Sequence, residues 1–280
     1  MIVAPSRASV RFYAELNDHL APDRRYRTLE KEFFVPASVK DVIENFGIPH
    51  TEVELVIVNG ESSDFSRLVR AGDRVALYPV FESLDITPEL RVRPQPLREP
   101  KFVLDVHLGR LAAYLRMLGF DTQYRNCVSD ADLVRISAEQ ARILLTRDRG
   151  LLKHSAVTRG YWLRQTASRR QAAEVVSRFD LGRAVRPFTR CMACNERLRP
   201  VSKGEIHGRV PPPIEARHDD FRECAACGRV YWEGFALPAD AVLDRGNDAG
   251  GASAAAWPDL TTRLRLTRHG MSHPGPGSGG

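Results

Sequence analysis

The stretch RILLTRDRG, Arg142–Gly150, decides how the chain is read. Ile143, Leu144 and Leu145 make an apolar run of the length of a short buried strand, and the run breaks off on Thr146, Arg147 and Asp148. A buried strand that ends on a carboxylate delivers it to the edge of a sheet, where open α/β folds bind their ligands. The local alternative is that Asp148 is a turn residue at a strand end.

Working outward, KFVLDVHLGRLAAYLRMLGF (Lys101–Phe120) has the same design. A strand, Phe102–Leu104, ends on Asp105, and a helix follows with Leu108, Leu111, Ala112, Leu115 and Leu118 at helical spacing before a stop at Gly119. SDADLVRISAEQA (Ser129–Ala141) predicts a helix with a Ser/Asp cap, Leu133 and Ile136 inward, and Asp130 and Asp132 in its first turn. YWLRQ (Tyr161–Gln165) predicts a further strand, and Ala167–Phe179 a helix burying Ala172, Val175, Val176 and Phe179. Strands alternating with helices imply a parallel α/β domain.

Three acids at strand ends and a helix start, Asp105, Asp130 and Asp148, can converge at the carboxyl edge of such a sheet. Hard cations such as Mg2+ or Mn2+ take oxygen ligands and keep several waters, so two or three carboxylates suit them. Each acid also has a local reading: Asp105 and Asp130 as helix caps, Asp148 as a turn residue.

The 280 residues, 43% hydrophobic and 27% charged, describe a soluble protein of about two domains plus an appendage. MIVAPSRASV lacks the layout of a secretory signal, and no apolar run approaches the roughly 18 residues of a membrane span. The expectation is a cytoplasmic protein without membrane contact. Charge is uneven. Residues 1–90 carry 10 Lys/Arg against 15 Asp/Glu, a net charge of −5, whereas residues 101–190 carry 17 against 8, a net charge of +9. A basic domain is the electrostatic footprint of a phosphate-backbone binder. Arg110, Arg116 and Arg147 are its candidate phosphate contacts, because guanidinium groups bind phosphate bidentately and stay charged; the alternative is that they solvate a helix face.

The first ninety residues read differently. SVRFYAEL (Ser9–Leu16) alternates as a strand, and FFV (Phe33–Val35) predicts another. Ser38 caps a helix with Asp41 in its first turn and Val39, Val42, Ile43 and Phe46 inward. ELVIVNGE (Glu54–Glu61) ends a strand on an Asn-Gly turn, and DRVALYPVF (Asp73–Phe81) is the last strand. Strand, strand, helix, strand, strand is the order of a β-grasp fold. RVRPQPLREP, residues 91–100, has the composition of a stiff linker.

Four of the five cysteines stand as CMAC (Cys191 and Cys194) and CAAC (Cys224 and Cys227). Two residues between paired thiolates let both reach one tetrahedral Zn2+, and two pairs complete a closed structural site. The 29 residues between the pairs suit a ribbon with a long excursion carrying Pro211–Pro213 and an acidic His218–Asp220 run. The rivals are a redox dithiol, which needs only one pair, and an Fe–S cluster.

The segment Ser9–Phe81, with its VNGE turn and GDRVALYPVF end, resembles the ubiquitin-like, sulfur-carrier-like domain found ahead of Mut7-C nucleases. Sulfur carriers of that fold end on Gly-Gly, whereas this strand runs into Phe81-Glu82-Ser83, which removes the carrier chemistry. FVLDVHLGRLAAYLRMLGFDT, SDADL, RILLTRDRGL and CGRVYWEG resemble successive motifs of the Mut7-C domain, a PIN-like nuclease domain with a zinc ribbon, over about residues 101–235. The resemblance implies metal-dependent hydrolysis of RNA, with the family's acids at Asp105, Asp130 and Asp148, and Asp132 as a fourth acid or as the alternative to Asp130. After Tyr231-Trp232 the chain departs from the Gly-Ser-His of the family and continues into a Gly/Ala/Pro-rich tail, expected to be disordered.

The expected organisation is therefore multidomain, α/β with α+β. It comprises a ubiquitin-like β-grasp domain (1–90), a linker (91–100), a PIN-like parallel α/β nuclease domain (101–187), a zinc ribbon (188–235) and a tail (236–280). A non-catalytic RNA-binding or ribosome-associated adaptor is the competing reading, and the β-grasp domain is a possible protein-docking platform.

Overall fold

The computed structural model describes residues 5–79 and 100–232; most of the Pro-rich linker and the expected tail lie outside the described residues. Described residues 5–116 and 120–183 belong to one compact unit, and 117–119 and 184–232 to a second.

The first unit opens on β1 (Ser6–Phe12) and β2 (Thr28–Phe33). A two-residue strand β3 (Ala37–Ser38) leads into α1 (Val39–Asn45), followed by β4 (Val53–Val58), β5 (Glu61–Ser63), the short β6 (Leu68–Val69) and β7 (Arg74–Pro79). The main sheet has the order β2-β1-β7-β4-β5, with β1 and β7 parallel at its centre, which is the β-grasp arrangement. Local signals place these elements. Ser38 accepts from the Asp41 amide while Asp41 accepts from the Ser38 amide, a complete capping box. Asn59 and Gly60, both at positive φ (+55° and +92°), form the hairpin turn between β4 and β5. Phe12, Val39, Val42, Ile43, Val56 and Leu77 fill the core against the helix.

Two strands of this sheet end short of expectation. β1 stops at Phe12 because Asn17, 1% exposed, donates from Nδ2 to the Phe12 and Ala14 carbonyls and folds residues Ala14–His19 into a 3-10 turn. β2 stops at Phe33, and Phe34 and Val35 lie exposed.

The same unit then builds a parallel sheet. β8 (Lys101–Leu104) is followed by α2 (Gly109–Met117), β9 (Asp121–Gln123), α3 (Asp130–Glu139), β10 (Ile143–Thr146), α4 (Arg149–Leu152), β11 (Gly160–Trp162) and α5 (Ser168–Arg178). The strand order is β11-β10-β8-β9, every pair parallel. Leu111, Ala112 and Leu115 of α2 and Leu133 and Ile136 of α3 are buried as the helical spacing predicts. Between β8 and β10 the chain's winding reverses direction, because β8 leads to β9 on one side and β10 to β11 on the other. Open α/β sheets form their ligand crevice at the carboxyl ends of the strands flanking such a point.

The second unit holds an antiparallel sheet of β12 (Leu198–Val201), β13 (Phe221–Cys224) and β14 (Val230–Trp232). The excursion between the cysteine pairs is structured, with α6 (Lys203–Ile206) and α7 (Pro212–Arg217) packing Ile206 and Ile214 around Val201 and Phe221.

Candidate functional site

The register of β8 with β10, Leu104 opposite Leu145, brings the next residues, Asp105 and Thr146, side by side at the switch point. The backbone amide of Asp105 donates to the Leu145 carbonyl (3.2 Å). Thr146, fully buried, donates its hydroxyl to Asp105 Oδ2 (2.7 Å) and accepts from the Asp148 amide (2.9 Å). One hydroxyl thereby ties together the two acids that end neighbouring parallel strands. Thr146 was not singled out from the sequence; its signal is a polar residue closing an otherwise apolar strand.

Asp148 is also the N-cap of α4, accepting from the Gly150 amide at Oδ1 (2.7 Å). The turn reading and the site reading coexist, since the cap occupies one carboxylate oxygen. Asp105 precedes a 3-10 turn, Val106–Leu108, and makes no side-chain cap bond there. At α3 the cap is Ser129, whose hydroxyl accepts from the Asp132 amide (3.1 Å), so Asp130 is exposed and not the capping residue. Asp132 is engaged at both oxygens, by the Ser129 hydroxyl (2.8 Å) and by Arg135 (3.1 Å), and these contacts hold its carboxyl below the ordinary value.

Arg110 and Arg147 are exposed, at the start of α2 and beside Asp148. Arg116 corrects the expectation of a phosphate contact: it is 5% exposed and donates from Nε to the Thr122 carbonyl (2.9 Å), joining α2 to β9. A guanidinium in that position braces the domain from inside.

The cysteines are gathered. The Sγ atoms of Cys191, Cys194, Cys224 and Cys227 all lie within 4.8 Å of one another, with Cys191–Cys227 at 3.5 Å and Cys194–Cys224 at 3.4 Å. Zn–S bonds of about 2.3 Å in a tetrahedron place sulfurs about 3.8 Å apart, between the shortest and the longest separations here, so small shifts admit the ion. The quartet is compatible with structural zinc. Burial works against the Cys191 thiolate, but the Tyr231 hydroxyl 3.0 Å away and the Cys194 and Ala193 amides bring that thiol down to about 6. Burial pushes Cys194 up to about 12. Among the described residues, this quartet is the one group of three or more His, Cys, Asp or Glu side chains whose ligand atoms gather so closely.

Fold and site together define a modular protein: a ubiquitin-like sheet, a parallel α/β domain with carboxylates at its switch point, and a four-cysteine ribbon. Residues 100–238 match the family model described as the Mut7-C RNAse domain, and residues 5–85 match the model described as Mut7-C ubiquitin. The two models span most of the chain in the expected order, and the chain belongs to the Mut7-C family. The RNAse-domain match supports a nuclease in general terms. Among solved structures, small archaeal modifier protein 1 of H. volcanii is similar at 19% identity, over 26% of this chain and 97% of that one, with a TM-score of 0.21. None of the curated proteins compared with the chain matches it. No helix among the described residues is long and apolar enough to cross a membrane.

Proposed function

We propose that the chain is a metal-dependent ribonuclease that hydrolyses RNA phosphodiester bonds at the carboxyl edge of its parallel sheet, with Asp105, Asp130 and Asp148 as ligands of Mg2+ or Mn2+. The observation that carries this reading is the buried Thr146 hydroxyl joining Asp105 and Asp148 across the switch point.

The donor set fits the ion. All donors are oxygens, and Mg2+ retains waters and is commonly held by only one or two carboxylates, so Asp105 and Asp148 suffice as its anchors. Such an ion, when bound, supplies charge stabilisation at the scissile phosphate and acidifies a coordinated water. The chain's own side chains orient the rest. Among the described residues, Thr146 fixes Asp105 Oδ2 and leaves Oδ1, and the Gly150 amide engages Asp148 Oδ1 and leaves Oδ2. Asp130 is the better third acid, because the oxygens of Asp132 are spent on Ser129 and Arg135. Arg110 and Arg147 offer guanidinium groups to the RNA backbone.

The proposal extends to the modules expected from the sequence (1–90, 91–100, 101–187, 188–235 and 236–280), to a structural Zn2+ on the four cysteines, to RNA and a protein docked through the β-grasp domain as partners, and to a cytoplasmic location, where paired thiols stay reduced. The adaptor reading rests on the net charge of +9 over residues 101–190, which would bind a backbone without cutting it.

The test is cleavage of labelled single-stranded and hairpin RNA with Mg2+, Mn2+ or EDTA, comparing wild type with Asp148→Asn. Metal-dependent cutting lost in the variant supports the nuclease. Equal RNA binding by both proteins, with no cutting by either, favours the adaptor.

A further inference from the structure

The β-grasp sheet and the parallel sheet share one compact unit, and the bonds joining them run from Arg149, next to Asp148, through Lys153, Trp162 and Arg164 to Arg178. Glu52, in a 3-10 turn of the β-grasp domain (His50–Glu52), has a fully buried side chain. A lone buried carboxylate is costly, so its partners identify its purpose. Its Oε1 accepts from the backbone amide of Trp162 (2.7 Å), and its Oε2 lies 3.5 Å from Arg164 and 3.7 Å from His19 Nε2. Burial opposes its ionisation, but the His19 ring, Arg164 and the Trp162 amide outweigh it and hold the carboxyl below its ordinary value.

Trp162 ends β11, the edge strand of the parallel sheet, directly opposite Thr146. An edge strand presents amides with no neighbouring strand, and Glu52 covers one of them. The Trp162 ring is held as firmly. The His19 ring lies 4.8 Å from it, and Arg149 places its guanidinium 4.2 Å from the ring centroid while donating to the His19 carbonyl (3.2 Å). The indole Nε1 donates to the Arg147 carbonyl (3.2 Å). The residues on both sides of Asp148 are thus fixed to Trp162, and Trp162 is fixed to the β-grasp domain.

We propose that the β-grasp domain is a positioning element of the nuclease site: Glu52 and His19 hold Trp162, and Trp162 holds the Arg147–Arg149 corner that presents Asp148. Thr146 secures that corner from inside the sheet and Trp162 from outside it. In this role the domain is a permanent part of the catalytic lobe, braced further by Arg164–Asp18 (3.0 Å) and Lys153 to the Glu44 carbonyl (2.9 Å). The inference rests on the ribonuclease reading for its effect on catalysis, while the clamp itself is testable without cleavage.

The experiment uses the full chain with two substitutions. Glu52→Gln removes the charge that faces Arg164 and His19; Trp162→Phe keeps one aromatic ring and the Glu52 contact with the backbone amide, deletes the Nε1–H bond to Arg147 and shrinks the surface under Arg149 and His19. Hydrogen exchange is followed in peptides covering 146–152, with β7 and β8 peptides as references, and kcat and KM are measured on a cleaved RNA with Mn2+. Both variants should exchange about tenfold faster at 146–152, the size of one lost hydrogen bond, with the reference peptides unchanged. In an active enzyme kcat should fall about 10–100-fold at unchanged KM, as when the support of a metal ligand is removed. Unchanged exchange at 146–152 in Trp162→Phe overturns the clamp, and so does faster exchange with undiminished kcat. If Glu52→Gln fails to fold, Trp162→Phe alone decides. A wild type that cuts no RNA overturns the ribonuclease reading instead, and the exchange result then judges the clamp by itself.

Discussion

The four cysteines and the switch-point acids are both candidate metal sites, and they are built in opposite ways. The thiols stand within 4.8 Å of one another, on two tight knuckles, with Cys191 and Cys224 buried. The acids are held by spread contacts: Asp105 Oδ2 and the Asp148 backbone by the Thr146 hydroxyl, the Asp148 carboxylate by an amide, and Asp130 at the exposed start of a helix. Four thiols of which only Cys191 is acidified, to about 6, carry little charge and can crowd together before an ion arrives, whereas ionised carboxylates repel each other and a cation relieves that repulsion. A gathered, soft, closed site suits a structural ion, and a spread, hard, open site suits an ion that must also admit water and a phosphate.

The largest effect that could break this contrast is on the cysteine side. Cys224→Ser should abolish zinc binding and melt the ribbon, since structural zinc contributes about 10–16 kcal/mol to such domains. Metal analysis should give one zinc per wild-type chain and none in the variant, with fast hydrogen exchange confined to 188–232. Acid should act the same way. Cys194 ionises only at about 12 without metal, so zinc must displace its proton, and affinity should fall as pH is lowered. Zinc retained by Cys224→Ser would refute the closed site.

Next in size is Asp148→Asn. Asn also caps helices well, so Tm should hold, while kcat should drop on the order of 10²–10³-fold, the scale of a lost electrostatic contact in a catalytic site. A fall in Tm without a selective fall in kcat would return Asp148 to a purely local role. Thr146→Val is smaller in kcat but tests the relay: it leaves Asp105 Oδ2 and the Asp148 amide without their shared partner. Its cost should be about 1–3 kcal/mol of stability and about 10–100-fold in kcat, with a weakened response to Mn2+.

What the sequence disclosed follows the same division between local and distant causes. The Ser38–Asp41 capping box, the Asn59-Gly60 turn, the helical stripe of α2 and the two cysteine knuckles each depend on residues a few positions apart, and all were legible. Asp105 and Asp148 were legible as strand ends, but their connection through Thr146 depends on the register of two strands 41 residues apart. Glu52, His19 and Trp162 gave no signal, because Glu52 meets Trp162 across 110 residues of chain. β9 is a three-residue strand without a pattern of its own, defined by its pairing with β8. Arg116 was misplaced although a signal existed. It stands four residues after Ala112 on the buried stripe, and its charge concealed that position.

Arg116 and Arg147 supply the finest test of the open site, because two arginines of one basic domain should behave differently. Arg147 is exposed beside Asp148, so Arg147→Ala should raise the KM for RNA a few-fold and lower the slope of log affinity against log salt by about one. Tm should not move. Arg116 donates to the Thr122 carbonyl from inside the domain, so Arg116→Ala deletes that hydrogen bond and a buried side chain and should cost about 1–3 kcal/mol of stability. The salt slope should stay at its wild-type value. Fluorescence anisotropy with a labelled RNA at several salt concentrations, beside thermal melts of both variants, measures the two effects together. Should Arg116→Ala change the slope and Arg147→Ala leave it unchanged, the RNA path would have to run along α2 and β9, and Asp148 would no longer lie on it.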